Sequence, residues 1–313
     1  LAATFNPSFV KQAVSFQRSR IELLIDGPAT VARHTIPSGA ERYSLVTWLS
    51  IACLDAPLVA ITWQWIFAEM ARATISISDR VALFATAWLI YLADRLADSF
   101  NIPTGAPESA RQRFCARHRK KWVMLILLLT MTDAVVAFTC IDRATLAFGA
   151  AIAFAIASYL GLNHFAGFLW RKWPLKEVLI GSLFAGATVV AIHQSVSSLI
   201  TPVILFAILC SLNCISISVW ERDLDIAQRR ESFATTCPRF LWLPRVSCWA
   251  LAASALLLAT IAPSTGLLFC IALSAILLAL LHHATVRSRD DRVALADIVL
   301  LTPTLILLLR LGP

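Results

Sequence analysis

Two short segments gather the carboxylates best suited to chemistry. Tyr91-Leu92-Ala93-Asp94-Arg95-Leu96-Ala97-Asp98 sets Asp94 and Asp98 four residues apart, and Glu221-Arg222-Asp223-Leu224-Asp225 does the same for Glu221 and Asp225. On a helix, residues spaced i, i+4 share a face, with Cβ atoms about 5–6 Å apart. Carboxylates that close repel unless a cation, a proton or an arginine lies between them. Oxygen ligands without His or Cys suit Mg²⁺, commonly held by a few carboxylates plus substrate phosphates. Acids at helix C-termini also oppose the helix dipole, by a few tenths to about 1 kcal/mol. For either pair alone, solvation or pairing with Arg95 and Arg222 stays an open alternative. Two such costly clusters on one side of the chain's architecture point to a joint role.

The elements that position these acids are apolar. Hydrophobic residues make up 58% of the 313 positions, charged residues only 15%, and mean hydropathy is +0.74. A water-facing surface needs about a quarter charged residues, so an ordinary soluble domain is excluded. Apolar runs of roughly 20 residues, enough to cross a bilayer, recur along the chain. They predict an all-α, polytopic membrane bundle of about nine transmembrane helices at 44–67, 79–97, 122–141, 143–163, 175–194, 198–220, 241–262, 265–283 and 293–311. Residues 1–43 are mixed and polar and read as a cytosolic lead-in; 44–313 form the membrane domain. The eight cysteines show no metal spacing, and Cys210 and Cys214, one turn apart, read as small buried hydrophobes.

Charge tests the orientation. Placed on alternate sides of nine spans, 23 of the 27 Lys and Arg fall on the side of the lead-in, against Arg72, Arg80, Arg143 and Arg310 on the other. The positive-inside rule makes the first side cytoplasmic, with the amino terminus inside and the carboxyl terminus opposite. Both acidic pairs then lie at the cytoplasmic ends of the second and sixth spans. The net charge of +8 follows from topology, so no nucleic-acid partner is implied.

With motifs and topology combined, the chain resembles the UbiA superfamily of intramembrane prenyltransferases over about residues 44–311. That family has nine helices and two Asp-rich motifs, the first of the form NDxxDxxxD and the second near DxxxD. Asp94 and Asp98 match the last two aspartates of the first motif, and Glu221 to Asp225 match the second. Lys176-Glu177-Val178-Leu179-Ile180-Gly181, opening the fifth span, and Leu295-Ala296-Asp297 with Leu300-Leu301-Thr302-Pro303 in the ninth also fit. The chain departs from the pattern at Ile90-Tyr91, where the family has Asn-Asp, and at Glu221, where it has Asp. The first site thus has two strong ligands, and the second motif is expected to carry more of the metal.

The resemblance implies a site, a cofactor and partners. Asp94, Asp98, Glu221 and Asp225 would hold Mg²⁺ on the diphosphate of an isoprenyl donor, and the isoprenyl group would pass to a hydrophobic or aromatic acceptor within the membrane. Arg95, Arg117, Arg119, Arg171 and Lys172 are candidate phosphate contacts. Asp223 and Tyr91 are candidate substrate contacts, Asn213 could reach the metal through water, and Asp55 could line the acceptor cavity. Asp55, Asp133 and Asp297 lie in apolar spans, at about 2.5–3.5 kcal/mol each on insertion scales, so each should face the bundle interior. Asp297 reads as structural, and His193, His282 and His283 as solvated. Two alternatives stand beside prenyl transfer: a non-catalytic relative that binds isoprenoid lipid, and a cation- or proton-coupled transporter. Transport favours acids at the midplane and helices broken by Gly or Pro, and few such breaks are expected here.

Overall fold

The computed structural model describes residues 43–165, 175–262 and 264–304. Among the described residues the chain is all-helical, in thirteen α-helices and two 3₁₀ segments. We number them α1 Leu45–Ile51, α2 Asp55–Ala71, α3 Ile77–Phe100, α4 Ala110–Arg117, α5 Arg119–Cys140, α6 Arg143–Phe165 and α7 Lys176–Thr188. After the 3₁₀ segment Val190–Leu199 come α8 Ile200–Trp220, α9 Arg222–Ala227 and α10 Phe233–Thr236. A second 3₁₀ segment, Pro238–Phe240, leads to α11 Leu243–Ala259, α12 Thr265–Leu281 and α13 Arg289–Val299.

By length and composition, α5, the stretch Arg143–His164 and the joined run Val190–Trp220 can each cross a membrane. One side of α5 is displayed rather than packed: Met124 is 70% exposed and Phe138 78%. Such a face suits lipid, and the helices are compatible with a membrane protein. Helices α11 and α12 are apolar but have only 17 residues each, about 26 Å of rise.

The first expected span, 44–67, is not one helix. It breaks after Ile51, and α1 and α2 meet at a 91° bend. Pro57 supplies a reason, since it has no N–H to bond the carbonyl of Cys53, and Cys53 takes a left-handed φ of 55°. Asp55 begins α2, and its Oδ1 accepts the Ala56 N–H at 2.9 Å, satisfying one donor that the new helix end exposes. The ninth expected span also differs. Helix α13 starts four residues early, with Ser288 accepting from Asp291 N at 3.0 Å, and its α-helical part ends at Val299 before a turn.

Caps and close contacts fix the bundle. Ser76 and Asp79 form a reciprocal capping box on α3, and Ser109 and Gln112 another on α4. Asp291 accepts hydrogen bonds from Ser44 and Thr47, both at 2.6 Å, tying α13 to α1. At the core Trp63 stacks on Phe206 with ring centroids 4.1 Å apart, and its Nε1 donates to the Leu300 carbonyl at 2.9 Å. Helices α7 and α8 pack backbone to backbone at Gly181, where a Cβ would sit 2.5 Å from the Ser211 nitrogen.

Candidate active site

Helices α3, α5, α6, α7 and α8 line a cavity of about 990 Å³. Asp94 and Asp98 reach it from the last turns of α3, Glu221 from the cap of α8, and Asp225 from α9. Two motifs more than a hundred residues apart in sequence therefore open on one space. Arg95, Arg111, Lys176, Arg229 and Arg230 line the same space, and apolar residues such as Ile152, Ile156, Leu160 and Leu183 continue it.

Each acid has a distinct environment. Arg111 donates to Glu221 Oε1 at 2.7 Å, with side chains only 7% and 14% exposed. Burial works against the Glu221 charge, but Arg111 and Arg95 outweigh it and hold the carboxyl below its usual range. Arg230 donates to Asp98 Oδ2 at 2.8 Å. Asp225 has no such arginine contact among the described residues. Burial pushes it up to about 6, and the neighbouring Glu221 charge adds to that, against the Ser232 hydrogen bond. Asp94 Oδ1 stands 3.4 Å from His164 Nε2, a long contact that leaves this nitrogen without a hydrogen bond among the described residues.

His164 is the residue that sequence reasoning passed over. It ends α6, and the alternation of spans places that end on the side of Asp94 and Asp98, so topology carried the signal. Ligand atoms of Asp94, Asp98 and His164 all lie within 4.8 Å of one another. Neighbouring ligands on one ion with bonds of about 2.0–2.1 Å stand about 3 Å apart, so these groups would close in to share one. Nine carboxylates line the cavity against five Lys and Arg, a further excess that cations would relieve. Asp94, Asp98 and His164 are the group that could hold a divalent cation. His164 adds a nitrogen to two of the expected carboxylates, and this cluster lies at the first motif. An imidazole suits Mn²⁺ or Zn²⁺ better than Mg²⁺.

The other expected residues divide. Tyr91 and Arg95 line the cavity, and Arg95 lies in the field of Asp94, Asp98 and Glu221. Asn213 lines it and donates to Asp297 Oδ1 at 2.8 Å, so its partner is a carboxyl rather than a metal-bound water. Asp55 is buried beside Asp297 and does not line the cavity. Asp223 points outward, with its side chain 97% exposed. Arg117 is exposed outside the cavity, and Arg119 is spent on Ser99 and the ring of Phe100, 4.5 Å away. Arg171 and Lys172 fall outside the described residues. The basic groups at the cavity are instead Arg111, Lys176, Arg229 and Arg230, beside Arg95. His282 is half-buried against Ser216 at 2.9 Å rather than solvated.

Compared with known proteins, the chain matches no family model, no curated protein and no solved structure.

Proposed function

We propose that this chain is a multi-pass membrane enzyme of the UbiA prenyltransferase type, transferring an isoprenyl group from its diphosphate to a lipid-soluble acceptor. The observation that carries the reading is the shared cavity, which both acidic motifs, five cationic side chains and a run of aliphatic side chains line together. An isoprenyl diphosphate combines an anionic head with an aliphatic tail, the two chemistries that this lining offers. The nine-span topology, with the amino terminus and both motifs cytoplasmic, belongs to this proposal and rests on the distribution of Lys and Arg.

Asp94 and Asp98, with His164, and Glu221 and Asp225 are the groups that would hold divalent cations. A cation held there would supply positive charge to neutralise the diphosphate leaving group. Arg95 and Lys176 offer charge-assisted hydrogen bonds to phosphate oxygens. Arg111 holds Glu221 in place. The aliphatic wall keeps water from the allylic carbon as its bond to oxygen breaks.

The test is incubation of the purified chain with isoprenyl diphosphates of several lengths and Mg²⁺ or Mn²⁺, reading diphosphate release. Release should occur, and Asp94→Asn with Asp98→Asn should abolish it. Release equal to a protein-free control with every donor sinks the reading.

One observation favours a second reading, coupled cation or proton transport. The bend of 91° at Asp55 makes a discontinuous helix whose end meets a buried carboxyl, a device of ion-coupled transporters. Reconstituted vesicles decide it: transport predicts proton or cation uptake without diphosphate release.

A further inference from the structure

Deeper along the cavity is a polar group that the acidic motifs do not use. Tyr91 precedes Asp94 by three residues on α3, and Asn213 precedes Glu221 by eight on α8, rises of about 5 and 12 Å. Both line the main cavity, as does Asp297 of α13, and the three also line an adjoining space of about 20 Å³.

Their hydrogen bonding is incomplete in a specific way. Asn213 is 4% exposed, and its Nδ2 donates to Asp297 Oδ1 at 2.8 Å, which fixes the amide orientation. Its Oδ1 is buried with no partner among the described residues. Buried carbonyl oxygens left so are costly and uncommon. Asp297 also hydrogen-bonds the Asp55 carboxyl. The Tyr91 side chain makes no hydrogen bond among the described residues. What stays available is one donor, the Tyr91 O–H, and one acceptor, Asn213 Oδ1.

We propose that Tyr91 and Asn213 bind the hydroxyl of the acceptor, an apolar alcohol or phenol, by donating to and accepting from the same oxygen. A hydroxyl does both, an ether only accepts, and an ammonium only donates. The adjoining space has room for a single oxygen-sized group, and Val59, Ile180 and Phe184 surround it with apolar surface. Asp297 positions the Asn213 amide. The proposal rests on the prenyl-transfer reading for calling this molecule the acceptor.

The experiment omits both metal and diphosphate, so it stands apart from the test of that reading. Tritiated para-octylphenol is bound to the detergent-solubilised full chain and displaced by para-octylphenol, para-octylanisole or para-octylbenzylamine. The phenol should compete at about tenfold lower concentration than the anisole, the effect of one hydrogen bond. Asn213→Leu should bring the two within about twofold, and Tyr91→Phe, a milder change, should weaken both. Equal competition by phenol and anisole in the wild type overturns the proposal, as does a preference that survives Asn213→Leu. An amine that competes better than the phenol overturns it too, in favour of a cation site. Should Asn213→Leu fail to fold, the Tyr91→Phe result and the wild-type ratio still decide. Absent diphosphate release with intact phenol selectivity would sink prenyl transfer and leave the hydroxyl subsite standing.

Discussion

Arg111 and Glu221 form a buried ion pair at 2.7 Å that fastens the short helix α4 to the end of α8. Removing one partner strands the other charge in a poorly hydrated place. Arg111→Leu should therefore cost about 3–5 kcal/mol in denaturant unfolding in micelles. Arg111→Leu with Glu221→Leu should recover most of it. A double variant no more stable than Arg111→Leu alone would show that the two residues do not act as a pair.

Arg230 occupies Asp98 Oδ2, an oxygen that a divalent cation would also use. Replacing it with glutamine removes that competitor, and Mn²⁺ affinity, followed by electron paramagnetic resonance, should rise about tenfold, the weight of roughly 1.4 kcal/mol. His164→Ala should lower Mn²⁺ affinity more than Mg²⁺ affinity, because an imidazole nitrogen favours the softer ion. If neither variant changes Mn²⁺ binding, Asp98 and His164 are not ligands.

The pH dependence follows from Asp225. Its carboxyl is pushed up to about 6, chiefly by burial, from an ordinary 3.8. Between those values the folded protein binds more protons than the unfolded chain, so stability falls as pH rises through this window. A divalent cation should offset the loss above pH 6 and bind more weakly below it, where a proton competes. Melting curves with and without Mg²⁺ check this, and Asp225→Asn should flatten the metal-free profile.

Gly181 admits no side chain, because a Cβ there would sit 2.5 Å from the Ser211 nitrogen. Gly181→Ala should cost at least about 1–3 kcal/mol, as overpacking does, although alanine is the better helix former. An alanine variant of wild-type stability would mean that α7 and α8 part without strain.

The apolar runs revealed most of the long helices, because a 20-residue hydrophobic stretch has few other readings. The clustering of the two acidic motifs was legible from their i, i+4 spacing and from the side on which alternation placed them. The bend at Cys53–Asp55 was not, since one Pro in an apolar run looks the same whether a helix starts or kinks there. His164 escaped because its value depends on Asp94 arriving from another helix. For the same reason the sequence could not distinguish Arg119, held by Ser99, from Arg111, held at the cavity.

Helix α5 is a single-layer partition. Asp133 and Ala137 face the cavity from it, while Met131, Val135 and Phe138 on its other faces are exposed among the described residues. Anything lodged in the aliphatic part is thus one helix diameter, about 10 Å, from the surroundings of the protein. In a bilayer those surroundings are acyl chains. A greasy molecule held there would be separated from them by that one helix alone.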